Sequence, residues 1–288
     1  MNRRLVAPVV ISLAATAAIA LAAAPLAAQQ DLGRDGTSWS WDGPVSSGQW
    51  ARIYNLSGPI RVVPSRDGKL HIRAEKRASY GGDVSAVHYA VVRSGDGVTI
   101  CALWTDNATC DESGSHESDS NSGWNDRRRN VEVSFNVEVP NGVLSGLRTV
   151  SGNIDANDLT AEVRANSVSG SVTATHIGSR VSAKSVSGDV TVSAANGPLE
   201  ATSVSGDVSA SLGSGGNSDM RLKSVSGSIE IGTPSSFNAD VDLSTVSGSI
   251  DSKYALHYDR RHQHADGKVG SGGADVSAST VSGSITLR

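Results

Sequence analysis

The tripeptide Val-Ser-Gly returns with its glycine at Gly152, Gly170, Gly188, Gly206, Gly227, Gly248 and Gly283, at successive steps of 18, 18, 18, 21, 21 and 35 residues. Self-similarity at a near-fixed period constrains the fold more than composition can, because every copy must solve the packing problem of its neighbours. The register runs deeper than three letters. Four residues after each motif valine stands Ile154, Val172, Val190, Val208, Ile229, Ile250 or Ile285. In the later copies, five before it stands Val163, Val181, Leu199, Met220, Val241 or Val276, and three before it Ala165, Ala183, Ala201, Leu222, Leu243 or Ala278. Alternation at period two with β-branched residues predicts strands. With the motif valine also placed inside, parity breaks just ahead of it, which predicts a bulge or corner there.

Two short strands and a corner cannot bury an apolar face alone, whereas stacked copies can, each satisfying the backbone of the next. The expectation is an all-β chain, a single elongated, β-helix-like β-solenoid with 18–21-residue coils, whose valine and isoleucine columns form one dry interior. The repeat glycines, with Gly58 as an upstream relative in Leu56-Ser57-Gly58, are read as structural. Longer steps put extra residues into outer loops at 213–219 and 233–240 and a larger loop insertion at 253–275. Residues 29–140 are expected to form an irregular N-terminal β region and residues 141–288 the repeat solenoid. Within the former, 87–93, 98–103 and 131–139 read as strands, and the Asp/Ser/Asn/Gly-rich stretch 106–129 as a mobile loop.

The chain opens with Arg3 and Arg4, an Ala-rich apolar run and small residues up to Ala28, the layout of a secretory signal peptide over 1–28 with cleavage near Ala27–Gln29. A retained membrane anchor is the rival reading; Pro25 and the missing stop-transfer charges speak against it. A net charge of −4 becomes −6 once those two arginines leave, so nucleic acid is not an expected partner. Arg127-Arg128-Arg129 beside Asp126 reads as a locally neutralised loop end. Cys101 and Cys110 are the whole thiol inventory, and in an oxidising compartment they read most simply as a disulfide rather than as metal ligands.

Chemistry-bearing motifs are sparse. No Gly-x-Ser-x-Gly elbow and no phosphate-binding loop leading into a helix is present, and His116-Glu117 begins a zinc-protease-like string that no second histidine completes. The expectation is therefore no catalytic residue, no cofactor and no resident metal. Two clusters stand as alternatives. Asp189 and Asp207, the residues after two repeat glycines, would stack about one strand spacing apart and could hold Ca²⁺ or work as an acid/base pair. His257, Asp259, His262 and His264 in the insertion could approach a metal, with Tyr254 and Tyr258 adding stacking surface. The Ser/Thr columns on either side of the motif valine read as hydroxyl ladders on a strand surface.

The stretches NLSGPIRV, VEVSFNVEVPNGV, the serial SVSGDV copies and the closing TVSGSITLR together resemble the bacterial putative-adhesin β-strand-repeat family, an exported domain of unknown function. The resemblance covers about Trp39 to Arg288 and implies an exported β-solenoid without assigned catalytic residues. The expected function is a non-enzymatic adhesin or cell-envelope interaction protein, bacterial and periplasmic, cell-surface or extracellular. Its expected partner is a cell-surface glycan or envelope protein, and no transmembrane segment is expected after signal cleavage. The alternatives are a carbohydrate-active β-helical enzyme using Asp189 and Asp207, and a periplasmic envelope scaffold or stress-linked sensor.

Overall fold

Each coil contributes one strand to each of two long sheets, and the Val-Ser-Gly segment is the corner between them. In one coil Val163–Ser169 lies in the first sheet and Val172–Thr175 in the second; Val181–Ser185 and Val190–Ala195 follow, paired in parallel with the coil before. The computed structural model describes residues 30–117, 130–213 and 217–288, so the expected signal peptide, Arg127–Arg129 and the second half of the expected 106–129 loop lie outside the described residues. Among these residues the first sheet has 13 strands and the second 11, both mostly parallel, and neither closes into a barrel.

The interior is built by alternation. Val163, Ala165, Val181, Ala183, Leu199, Ala201, Met220 and Leu222 point in from one sheet; Ile154, Val172, Val190, Val208 and Ile229 meet them from the other, all buried. Small alanines on one side facing branched residues on the other let the two sheets pack closely over a thin core. The return turn is as regular. Asp158, His176 and Ala194 occupy the same place in three coils with φ between 53° and 59°, a left-handed kink that reverses the chain in little space.

The corner corrects the expectation for the motif valines. Val150, Val168, Val186, Val204, Val225, Val246 and Val281 face water, 40–66% exposed, while the Ser or Thr just before each is buried. Alternation therefore continues through the strand, and no bulge precedes the valine. The one register shift between the paired coil strands falls at Val192/Ala195. The reason is a hydrogen bond. Ser167 Oγ donates to the Gly152 carbonyl, Ser185 to Gly170 and Ser203 to Gly188, each at 2.9 Å. Thr149, Ser224, Thr280 and Thr245 do the same to Gly58, Gly206, Gly227 and Gly283. An inward valine would take that donor from carbonyls that are half-buried, or buried at Gly58, a loss of about 0.5–1.5 kcal/mol at each level. The Ser/Thr column ahead of the valine is thus an internal ladder, not a surface one.

Copies do not stack in sequence order. Ala274–Ser282 lies between Met220–Lys223 and Ala239–Ser247, and Ile285–Leu287 lies between Ile229–Gly232 and Ile250–Ser252. The last copy thus fills a layer that the preceding one left open. The 253–275 insertion is correspondingly no free loop. His264–Val269 pairs antiparallel with Ala239–Ser247, and His257–Tyr258 pairs antiparallel with it in turn, covering the end of the first sheet. An antiparallel hairpin is a common device for closing an edge that would otherwise recruit another chain.

At the other end, Trp50–Tyr54 and Ile60–Pro64 form a first coil around Gly58, whose φ of 113° only glycine adopts readily. Beyond it the first sheet continues through Gly97–Leu103, His88–Ser94 and Gln30–Leu32, and the second through Val131–Val139, Leu70–Ala78 and Ser38–Gly43. Large rings replace alanines here: Tyr89 stacks on Trp39 at 4.6 Å and meets Phe135 edge-on at 6.0 Å. Residues 108–117 of the expected mobile loop form a hairpin, Ala108–Asp111 with Gly114–Glu117. Asp111 Oδ1 accepts the Ser113 and Gly114 N–H groups at its tip, and a Cys101–Cys110 disulfide ties the rung next to the tip to the first sheet.

Candidate functional site

The sequence-derived candidates do not converge on a reactive centre. Asp189 Oδ1 accepts the Asp207 backbone N–H at 2.9 Å, and Asp207 Oδ1 accepts that of Ser228 at 2.8 Å. Asn153 serves Ser171 in the same way. This column staples the corner of one coil to the next, a capping role that uses one oxygen of each carboxylate. In the insertion, Asp259 accepts the Gln263 and His264 N–H groups, which holds its carboxyl below the usual range. His262 lies against the Tyr258 ring at 4.9 Å, and His264 approaches Asp266 at 3.5 Å. Tyr254 shares a hydrogen bond with Thr233 at 2.7 Å. Among the described residues no group of three or more His, Cys, Asp or Glu side chains stands where one ion could be held. His116 pairs with Asp111 at 3.0 Å and with the Ser113 hydroxyl at 2.9 Å, through one ring nitrogen, which gives no proton relay.

Two surface features emerge instead. One is the file of motif valines along the first sheet, in the spatial order Val150, Val168, Val186, Val204, Val225, Val281, Val246, set by the strand order. The other is a cavity of about 360 Å³ on the same outward face, near the first coils. Parallel register places Arg52 beside Gly146 and Gly146 beside Arg164, with Tyr54, Arg148 and Asn166 in the next row. Every other coil carries a side chain at the Gly146 position: Arg52, Arg164, Ser182, Glu200, Arg221, Asp242 and Ser277. The bare backbone there opens the floor. Arg164 reaches across it to lie over the Trp50 ring at 4.6 Å, with Arg52 over the same ring at 5.3 Å.

The disulfide-tied hairpin is the wall. Glu112 and Ser113 line the cavity, the Tyr54 hydroxyl donates to the Glu112 carbonyl at 3.0 Å, and Gly114 lies against the Tyr54 ring. Burial raises the Tyr54 phenol above its ordinary pKa despite Arg148 and Arg52 nearby. Nothing in the sequence reading pointed here, although the missing side chain at Gly146 was a legible break in the repeat.

A second polar cluster bears on stability. His71, on Leu70–Ala78, lies between Asp67 at 2.8 Å, in the turn before that strand, and Asp42 on the adjoining strand Ser38–Gly43. Hydrogen bonds to Asp67 and Asp42 raise the imidazole pKa, and the bond from His71 is the largest cause holding Asp67 at about 2. A raised histidine pKa contributes stability that is complete below about 6.5 and is lost as pH rises through the folded value. The Asp67 contribution is present above the ordinary carboxylate range and is lost as pH falls through about 2. His71→Gln is therefore expected to flatten the fall in melting temperature between pH 5.5 and pH 8.5, as read by scanning calorimetry; an unchanged slope would count against the cluster.

Residues 149–288 match the family model of Toastrack DUF4097. Over these residues the chain resembles a Toastrack domain. Its coil geometry does not begin at residue 149, because the strand Leu144–Ser151 and the first coil at Trp50–Pro64 carry both sheets upstream of the Toastrack match. No curated protein matches the chain. Two solved structures resemble it remotely: a putative cell adhesion protein from Clostridium sporogenes ATCC 15579, with 11% identity, a TM-score of 0.41 and coverage of 87% of this chain and 98% of that one; and a putative adhesin from Bacteroides fragilis NCTC 9343, with 14% identity, a TM-score of 0.43 and coverage of 88% and 99%. No helix among the described residues is long and apolar enough to cross a membrane.

Proposed function

We propose that the chain is an exported, non-enzymatic β-solenoid that acts as an adhesin or cell-envelope interaction protein through the outward face of its first sheet. The observation that carries this reading is the valine file. In seven of seven Val-Ser-Gly copies an apolar side chain occupies a position open to water, 40–66% exposed, although the neighbouring positions on that face are polar or charged. A continuous apolar ridge on a stiff support is what a contact surface needs, since isolated apolar residues rather than lines are ordinary on surfaces. Each rung adds a weak contact, and contacts on one rigid body combine at high effective concentration. Asp189 and Asp207, the residues an enzymatic reading requires, are committed to backbone N–H groups, and no other observation favours that reading.

The test replaces Val186, Val204 and Val225 together by threonine, which keeps β-branching and removes apolar surface. Mature protein on beads should then capture roughly tenfold fewer bacterial envelope fragments, while each surface change moves stability by no more than about 0.5 kcal/mol. Undiminished capture by a folded triple variant would overturn the reading.

A further inference from the structure

We infer that the cavity beside Gly146 is a binding site for a carboxylate-bearing sugar unit of an acidic polysaccharide, with Arg148 and Arg164 as its anion-recognising residues. The charges around it are unevenly matched. Arg52 is held by Asp96 through both terminal nitrogens, at 3.2 and 2.6 Å. Arg164 gives only its Nε to Glu162, at 2.7 Å, and keeps its other two nitrogens in the guanidinium that lies over Trp50. Arg148 meets no carboxylate among the described residues. It lies over the Tyr54 ring at 5.4 Å, with one nitrogen 3.5 Å from the Ser113 carbonyl.

Arginines fixed on aromatic rings and left with open N–H edges suit a carboxylate, which accepts two parallel hydrogen bonds in the plane of the fork. Ring and carbonyl contacts hold Arg148 in place before any ligand arrives, which lowers the ordering cost of binding.

The remaining lining selects for a sugar. At about 360 Å³ the cavity is at the small end of ligand sites, too small for a folded partner and sufficient for one or two rings. Glu112, Ser113 and Asn166 offer both acceptors and donors around the rim; sugar hydroxyls can use both kinds, whereas a carboxylate alone can use only the donors. Beyond the cavity the outward row continues as Asn166, Lys184, Thr202 and Lys223, in parallel register at about 4.8 Å per rung. A polymer seated by one unit has a cationic track to follow, with Lys184 shared by Glu200 at 2.8 Å. The field is local: the chain as a whole is acidic.

This deepens the adhesive reading by naming a ligand class, and its test separates the two. Mature protein is titrated calorimetrically with trigalacturonate, and in parallel with neutral galactotriose, a sulfated trisaccharide and tetraglutamate. The expected result is binding of trigalacturonate roughly tenfold or more tighter than of the other three. Arg148→Gln should weaken it by at least that factor. Gly146→Gln should abolish it by filling the floor; the added Cβ would meet Arg52 Cγ at 3.2 Å and the Trp50 ring at 3.5 Å, both side-chain atoms, so the fold should be kept. The Val186/Val204/Val225 threonine variant should bind trigalacturonate unchanged. No heat from trigalacturonate, equal affinity for any of the other three probes, or insensitivity to Arg148→Gln and Gly146→Gln would each overturn the site. The valine reading would survive any of these if envelope capture still depended on the file.

Discussion

A chain ending at Gly273 is expected to lose cooperative folding, because residues 274–288 are an inner layer of the stack. Trimming a solenoid from its end ordinarily removes one layer and spares the rest. Here the cut would withdraw Ala274–Ser282 from between Met220–Lys223 and Ala239–Ser247, and Ile285–Leu287 from between Ile229–Gly232 and Ile250–Ser252. Val276, Ile285 and Leu287 are buried there, each contributing about 1.5–3 kcal/mol. That loss of roughly 5–9 kcal/mol rivals the net stability of an ordinary domain, about 5–15 kcal/mol. Parallel ladders open on both flanks add to it. Thermal circular dichroism should give no sigmoidal transition, and brief trypsin treatment should cut within 220–268. A truncated protein melting within a few degrees of the full chain would overturn the layer order described above.

Gly206→Ala should destabilise the chain measurably with a single methyl group. The added Cβ would lie 2.4 Å from the Gly188 carbonyl oxygen and 2.6 Å from its carbon, backbone atoms that cannot step aside. Gly170, Gly188, Gly227 and Gly283 face the same obstacle, so the glycines are required by close approach of successive corners; none of these four has a positive φ. The obstructed oxygen is also the acceptor of Ser203, so relief by moving the layers apart would lengthen that buried bond. Overpacking of this kind costs about 3 kcal/mol, which in a chain of this size lowers the melting temperature by roughly 6–12 °C. Gly95→Ala, with no atom within 4 Å of the added carbon and no positive φ, is the control. Equal melting of the two variants would refute the close-approach argument.

Much of this was legible in the sequence because repetition made it so. Val163, Val181 and Leu199 sit where their period-two spacing put them, buried in one column. The corner was misjudged for a physical reason. Val168 and Ser167 are equally regular from copy to copy, and a hydrophobicity rule sends the valine inward, but the half-buried Gly152 carbonyl is met by the Ser167 hydroxyl, which turns the valine outward. The constancy of Ser or Thr at that place, including Thr149, Thr245 and Thr280, was the available signal. Layer order left no signal beyond the 35-residue step, since equivalent copies fit equally well into either slot. The cavity draws on residues near 50, 112, 146 and 164, and only parallel register brings them together.

The hydroxyl-to-carbonyl ladder has a further consequence. Because Ser185 and Ser203 offer the same donor to the same acceptor one level down, the levels are interchangeable, and the SVSGDV cassette is a splice point at which a whole level can be gained or lost without redesigning its neighbours. Length then becomes a tunable trait in increments of about 4.8 Å. The number of levels sets how far the arginine-lined cavity stands from the hairpin-capped end of the first sheet.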